Sequence, residues 1–184
     1  AIMLLSFYAN MRSIAEISAL ARIGQIFTVF MLLNSYFIHP VFARSVSRSD
    51  YITKLVWVML WLATLSIVVL TSAFVVPEWW LVIVGDNYSD LTMELPIALA
   101  TSLVTLIGAT LYVIVVSRGS TKWQSITIFP CFGSQLVFIA THEVRSTWDA
   151  LIIILLPAAV YAVMQAAFLL AILVRWTRDQ PYGS

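Results

Sequence analysis

The stretch from Leu95 to Val116 reads LPIALATSLVTLIGATLYVIVV and holds no Asp, Glu, Lys or Arg. A bilayer core about 30 Å thick is crossed by roughly 20 apolar residues of helix rising ~1.5 Å each, and this stretch meets that length. Outward from it lie four more runs of similar length without an interior charge: Ile23 to Ala43, Leu55 to Val76, Trp123 to Thr141 and Ala150 to Val174. Alternation of period two is missing throughout, which argues against a membrane β-barrel. The expected fold is an all-α, polytopic transmembrane helix bundle with five full spans.

Composition agrees. Of 184 residues, 61% are hydrophobic and 10% charged, with a mean hydropathy of +0.96. An ordinary soluble domain has about a quarter charged residues. Lys and Arg number 10 against 9 Asp and Glu, so the formal net charge is only +1. That balance speaks against a nucleic-acid partner and against a charge-rich disordered chain. Cys131 is the single cysteine, which excludes an internal disulfide and a cysteine-built zinc site.

The charges sort by connection. Arg44, Arg48 and Lys54 follow the first span, Arg118 and Lys122 the third, and Arg175 and Arg178 the fifth. If the spans alternate, these fall on one side of the membrane. The other side holds Glu78, Asp86, Asp90, Glu94, Glu143 and Asp149, with Arg145 as its clear basic residue. The positive-inside rule then predicts that the basic side and the C-terminus are cytoplasmic. Trp57, Trp123 and Trp176 lie near one set of span ends and Trp79, Trp80, Tyr88 and Trp148 near the other, as amphipathic rings prefer at headgroup depth.

Residues 1–13 read as the remnant of a preceding helix with a short outer connection. The run Ala1 to Ala9 is too short to span and has neither the basic flank nor the cleavage pattern of a signal peptide. The expectation is a longer chain whose N-terminal part precedes Ala1. Residues 14–178 form the bundle, and 179–184 a polar cytoplasmic tail. The short connections predict that sequential helices are antiparallel neighbours. The segment PEWWLVIVGDNYSD from Pro77 to Asp90 is too short to cross and should lie at the outer interface, with Pro77 ending the helix before it.

Small residues mark close helix approach in lipid. Ala158, Ala162 and Ala166 make one such ridge, and Ser102, Thr105 and Ala109 another. Arg12 and Glu16 are spaced to pair on one helix face. Arg22, on the same helix, is too costly to face hydrocarbon at depth. It either snorkels to the interface or lines a hydrophilic cavity for an anionic ligand. Gln25 and Asn34 are candidates to share that cavity wall, and Gln165 is the amide of the fifth span. Pro130, Gly133, Ser134 and Gln135 interrupt the fourth span in the way transporters use to expose backbone to substrate. His39 and His142 fall on opposite faces, so no histidine metal pair is expected. No phosphate loop, nucleophile elbow or zinc-protease motif occurs. The sequence therefore predicts no enzyme, no metal and no cofactor.

The order of features is similar to that of the polysaccharide-biosynthesis flippases, exporters of lipid-linked oligosaccharide within the multidrug and polysaccharide exporter superfamily. ARIGQIFTVFMLLNSYFIHPVFAR runs from Ala21-Arg22-Ile23 through Pro40 to Ala43-Arg44, and resembles a family helix that starts at such a triad and ends in a proline before Ala-Arg. Within LVIVGDNYSD, Gly85 and Tyr88 match the family's outer-face motif, with Val84 in place of its aromatic. Gly119 and Lys122 of VVSRGSTK match its basic turn. The likeness covers about Ile14 to Val174; the connection THEVRSTWD is more polar than the family's glycine-rich turn. The resemblance implies the C-terminal half of an alternating-access carrier. Its partners would be membrane lipids, a lipid-linked glycan substrate and the missing N-terminal half. It implies substrate binding by Arg22, whose guanidinium suits phosphate oxygens, with Gln25, Asn34 and Gln165 beside it. The alternative is a non-catalytic subunit that packs with other membrane subunits.

Overall fold

Hydrocarbon offers no water to backbone amides, so each apolar run must close its hydrogen bonds within itself as a helix. The structure, a computed structural model, describes residues 11–85, 88, 90–119, 121, 124–142 and 146–178. Its helices are α1 (Met11–Ala43), α2 (Arg48–Val75), α3 (Pro77–Val84), α4 (Leu95–Val116), α5 (Ile128–Thr141) and α6 (Thr147–Arg178), with a 3₁₀ turn at Gln124–Thr127 leading into α5. No strand occurs among the described residues. All but α3 are long and apolar enough to cross a membrane, α5 together with its leading turn. The bundle of five spans is as the sequence predicts.

Local chemistry sets the boundaries. The hydroxyl of Ser47 accepts the backbone N–H of Asp50 at 3.1 Å and caps α2. Pro77 does not merely stop α2; it occupies the first turn of α3, where its missing N–H costs nothing. Gly85 ends α3 with φ +116°, a left-handed conformation that glycine adopts without strain. Trp80 Nε1 donates to Ser72 Oγ at 3.0 Å and folds the short α3 back on α2. From Met11, its first described residue, α1 carries Glu16 and Arg22 in one helix with the first span. The expected remnant at 1–9 and the tail at 179–184 lie outside the described residues.

Contact register gives the directions. Gly24 faces Ser102 and Asn34 bonds Thr110, so α1 and α4 run parallel. Ala98 and Leu151 line one cleft while Gly108 meets Ala162, so α4 and α6 also run parallel. Tyr51, at the start of α2, lies under Arg118, just past the end of α4, so α2 runs the opposite way. Between α5 and α6 the pairs 124 with 165, 131 with 157 and 135 with 153 define an antiparallel seam. Directions alternate as expected, but neighbourhood does not follow chain order. The central helix is α4, packed on α1, α2 and α6, whereas α5 rests on α6 and α1 packs little against α2. Half of the apolar window of α4 is buried, against 17% for α1, α2 and α6.

What lets α4 and α6 approach is Gly108. A Cβ there would sit 2.8 Å from Tyr161 Cδ1 and 3.4 Å from the Ala162 Cα. The alanine ridge on α6 thus packs as the sequence suggests, but its partner is a glycine that the ridge pattern on α4 does not mark.

The ends of the bundle differ in charge. At one end, Arg118 Nη2 donates to the Ser45 carbonyl at 2.7 Å and its guanidinium lies 4.8 Å above the Tyr51 ring. Lys54 Nζ bridges Ser45 Oγ at 3.0 Å and Asp50 at 2.6 Å. Beneath them Phe42 and Tyr51 meet edge to face, both fully buried, in one cluster with Leu169 of α6. The first two basic connections and the last turns of α6 therefore share one end of the bundle. At the opposite end Thr147 Oγ1 donates to Glu16 at 2.6 Å, joining the starts of α1 and α6.

Enlarging Gly108 tests the central contact. Gly108→Leu is expected to destabilise the bundle by about 1–3 kcal/mol, the usual cost of overpacking. Gly133→Leu, at a helical site where an added Cβ meets nothing within 4 Å, should not destabilise and should gain up to about 1 kcal/mol of helix propensity. Thermal unfolding of the detergent-solubilised variants measures both.

Candidate functional site

Where α1, α4 and α6 converge they leave a cleft of about 310 Å³. Gly24 and Thr28 of α1 face Thr101, Ser102 and Thr105 of α4, and Leu151 and Ile154 of α6 close the back. Small residues leave this room because they hold the backbones near each other without filling the space between. The hydroxyls are already engaged: Thr101 donates to Ile97 O, Ser102 to Ala98 O, Thr105 to Thr101 O and Thr28 to Gly24 O. Each has spent its single donor on its own helix and keeps lone pairs as an acceptor. No ionisable side chain lines the cleft among the described residues. It suits an apolar guest and offers little to an anion.

The four residues expected to make a binding site do not assemble into one. Arg22 is exposed, and at about 100° per residue it lies ~160° around α1 from the cleft-lining Gly24. Its Nη1 reaches the Val84 carbonyl at 3.4 Å, at the C-terminal end of α3, where a cation meets the negative end of the helix dipole. Arg22 thus lines neither the cleft at Gly24 nor the one at Asn34. Gln25 is also exposed and lines no described cleft with Asn34. Asn34 is 8% exposed and its Nδ2 donates to Thr110 Oγ1 at 2.7 Å, tying α1 to α4. Gln165 is fully buried and exchanges two amide hydrogen bonds with Gln124, at 2.7 and 3.2 Å. The last two are buried as expected, but each is spent on a neighbouring element.

The fourth span also reads differently in three dimensions. Pro130 sits in the first turn of α5, where a proline removes no helical hydrogen bond, and Gly133 to Gln135 continue as regular helix. The proline with a structural consequence is Pro157, inside α6. Lacking an N–H, it leaves the carbonyl of Ile153, four residues earlier, without its helical donor. Gln135 Nε2 donates to that carbonyl at 3.4 Å, and Cys131 Sγ donates to the Pro157 carbonyl at 3.5 Å. So α5 is a splint along the broken ladder of α6, and Gln135 replaces the hydrogen bond that proline removes. Pro157 was legible as the signal, since a mid-span proline always frees a carbonyl. At the far end of α5, His142 stacks on Phe138 with centroids 4.7 Å apart and bonds Thr141 at 2.8 Å.

No family model, no curated protein and no solved structure matches this chain.

The splint carries a sign that can be checked. Gln135→Ala alone should destabilise the bundle by about 0.6–1.7 kcal/mol, the range for interhelical hydrogen bonds in membranes. In a Pro157→Ala background the residue at 157 regains its N–H, and the same Gln135→Ala change should then cost no more than about 0.3 kcal/mol. A double-mutant cycle read by unfolding in detergent gives the coupling.

Proposed function

We propose that this chain is the C-terminal half of a transmembrane carrier that flips lipid-linked oligosaccharide or a related polysaccharide precursor by alternating access. In this reading it resides in a bacterial cytoplasmic membrane with its basic end and C-terminus inside. It carries out no covalent chemistry. The observation that supports it best is the cleft between α1, α4 and α6, open, apolar and edged with hydroxyl acceptors. Such a lining receives the lipid chain of the substrate and not its pyrophosphate. Arg22, turned away from the cleft and toward Val84, is left out of substrate binding in this form of the proposal. The anion would be met by parts of the carrier outside this half. The seven basic residues of two connections and the end of the last span support the orientation.

A second reading, a non-catalytic subunit of a larger membrane complex, draws on a different observation. Asn34, Gln135 and Gln165, the buried amides, each bond another element of the bundle, which is what a purely architectural bundle requires.

Filling the cleft separates the two. In cells lacking the native protein, Gly24→Leu combined with Ser102→Leu should lower glycan export about tenfold or more, at a normal level of protein in the membrane. Arg22→Ala should leave export within about twofold of the parent, because losing an exposed contact costs little. Unchanged export with the cleft filled would remove the carrier reading in favour of the subunit.

A further inference from the structure

The α1–α2 connection is short, yet the two helices part and leave a groove of about 290 Å³ between them, lined by Asn34 and Ile38 of α1 and Trp57, Val58 and Trp61 of α2. This groove is separate from the cleft of the proposed carrier, and its occupant is independent of the carrier reading. Trp57 is 70% and Trp61 46% exposed, so both rings present faces outward along the groove.

The groove has a charged mouth. Lys54, Trp57, Val58 and Trp61 follow at i, i+3, i+4 and i+7, one face of α2. On the facing side Ile38 leads one turn on to Phe42 in α1, and the chain reaches Ser45 just past the end of that helix. Lys54 Nζ closes the groove at that end by donating to Ser45 Oγ and Asp50. An ammonium has three N–H donors, so beyond these two bonds a third donor is left for an incoming acceptor. Arg44 and Arg48, both exposed, flank the same turn, and Arg118 holds the Ser45 carbonyl. Among the described residues, these four cations and the carboxylate of Asp50 give the mouth a net positive charge.

An empty apolar groove within hydrocarbon costs free energy in proportion to its void, so lipid chains must enter it. The cations select which lipid. We propose that the α1–α2 groove is a site for one anionic diacyl phospholipid. An acyl chain lies between Ile38 and the Trp57–Trp61 face, and the phosphate is held at the mouth by Lys54 and Arg48. Each juxtamembrane cation adds attraction for an anionic headgroup worth about fivefold in affinity. A zwitterionic lipid gains almost none of it.

Tryptophan quenching by chain-brominated lipids tests this with the full chain in phosphatidylcholine nanodiscs. Brominated phosphatidylglycerol is compared with brominated phosphatidylcholine at equal, low mole fraction. The groove signal is the part of the quenching lost in Trp57→Phe/Trp61→Phe. Expected is a preference for phosphatidylglycerol of about fivefold or more, reduced severalfold in Lys54→Gln/Arg48→Gln. Circular dichroism confirms that both variants keep their helices, and Trp57→Phe alone serves if the double aromatic variant does not fold. Equal quenching by the two lipids overturns the proposal, because the groove then holds ordinary bulk lipid. So does a preference that loss of the two cations leaves unchanged. Absence of quenching by either lipid also overturns it and assigns the groove to another protein helix.

Discussion

Hydrocarbon gives one apolar helix no reason to prefer another over lipid, so the helices must be held by close packing and by hydrogen bonds that lipid cannot supply. Both are concentrated on α4. Gly108 lets α6 come within van der Waals contact of its backbone, and Thr110 anchors Asn34 of α1. From that pair of contacts the rest of the arrangement is built. Three parallel helices form the body of the bundle, α2 covers α4 from one side, and α5 is carried by α6. The cleft exists because small residues at Gly24, Ser102 and Thr105 set the α1–α4 spacing without filling it. The two ends are then closed by polar clasps, Arg118 and Lys54 on Ser45 at one and Thr147 on Glu16 at the other.

The same constraint explains what could be read from residues alone. Five spans were legible because length and absence of charge decide insertion residue by residue. The shared end of the first two basic connections was legible because short loops fix the side each one emerges on. Packing partners were not, because loop length says which helices are antiparallel and nothing about which ones touch. Gly108 differs from other small residues only by what faces it, and Tyr161 is far away in sequence. Gln135 and Gln165 could be recognised as polar groups needing partners. Whether the partner is a substrate or a helix depends on the register of α5 on α6, which brings Gln135 to the carbonyl that Pro157 exposes and Gln124 to Gln165.

Arg22 shows what residue type alone leaves open. A guanidinium on an apolar span invites an anionic ligand, but helix rotation places it opposite the small-residue stripe of α1. Near the end of α3 it finds a carbonyl at low cost. The cleft between the three parallel helices is consequently uncharged. A function that works through it must rely on shape, apolar contact and hydroxyl acceptors, which favours lipid-like guests over ionic ones.

Cysteine cross-linking measures the helix arrangement most directly, with Cys131→Ser as the background so that the engineered pairs are the only thiols. A Cβ at 24 lies 3.4 Å from Ser102 Oγ and one at 108 lies 3.4 Å from the Ala162 Cα. Cysteines at 24 with 102 and at 108 with 162 are therefore neighbours across the two seams, the second pair with Tyr161 cut back to Ala to make room for the new side chain. A bundle centred on α4 predicts rapid, near-complete oxidation of both pairs in native membranes, joining α1 to α4 and α4 to α6. If neither pair closes while cysteines placed along α4 and α5 do, the helices pack in chain order and α4 is not the hub.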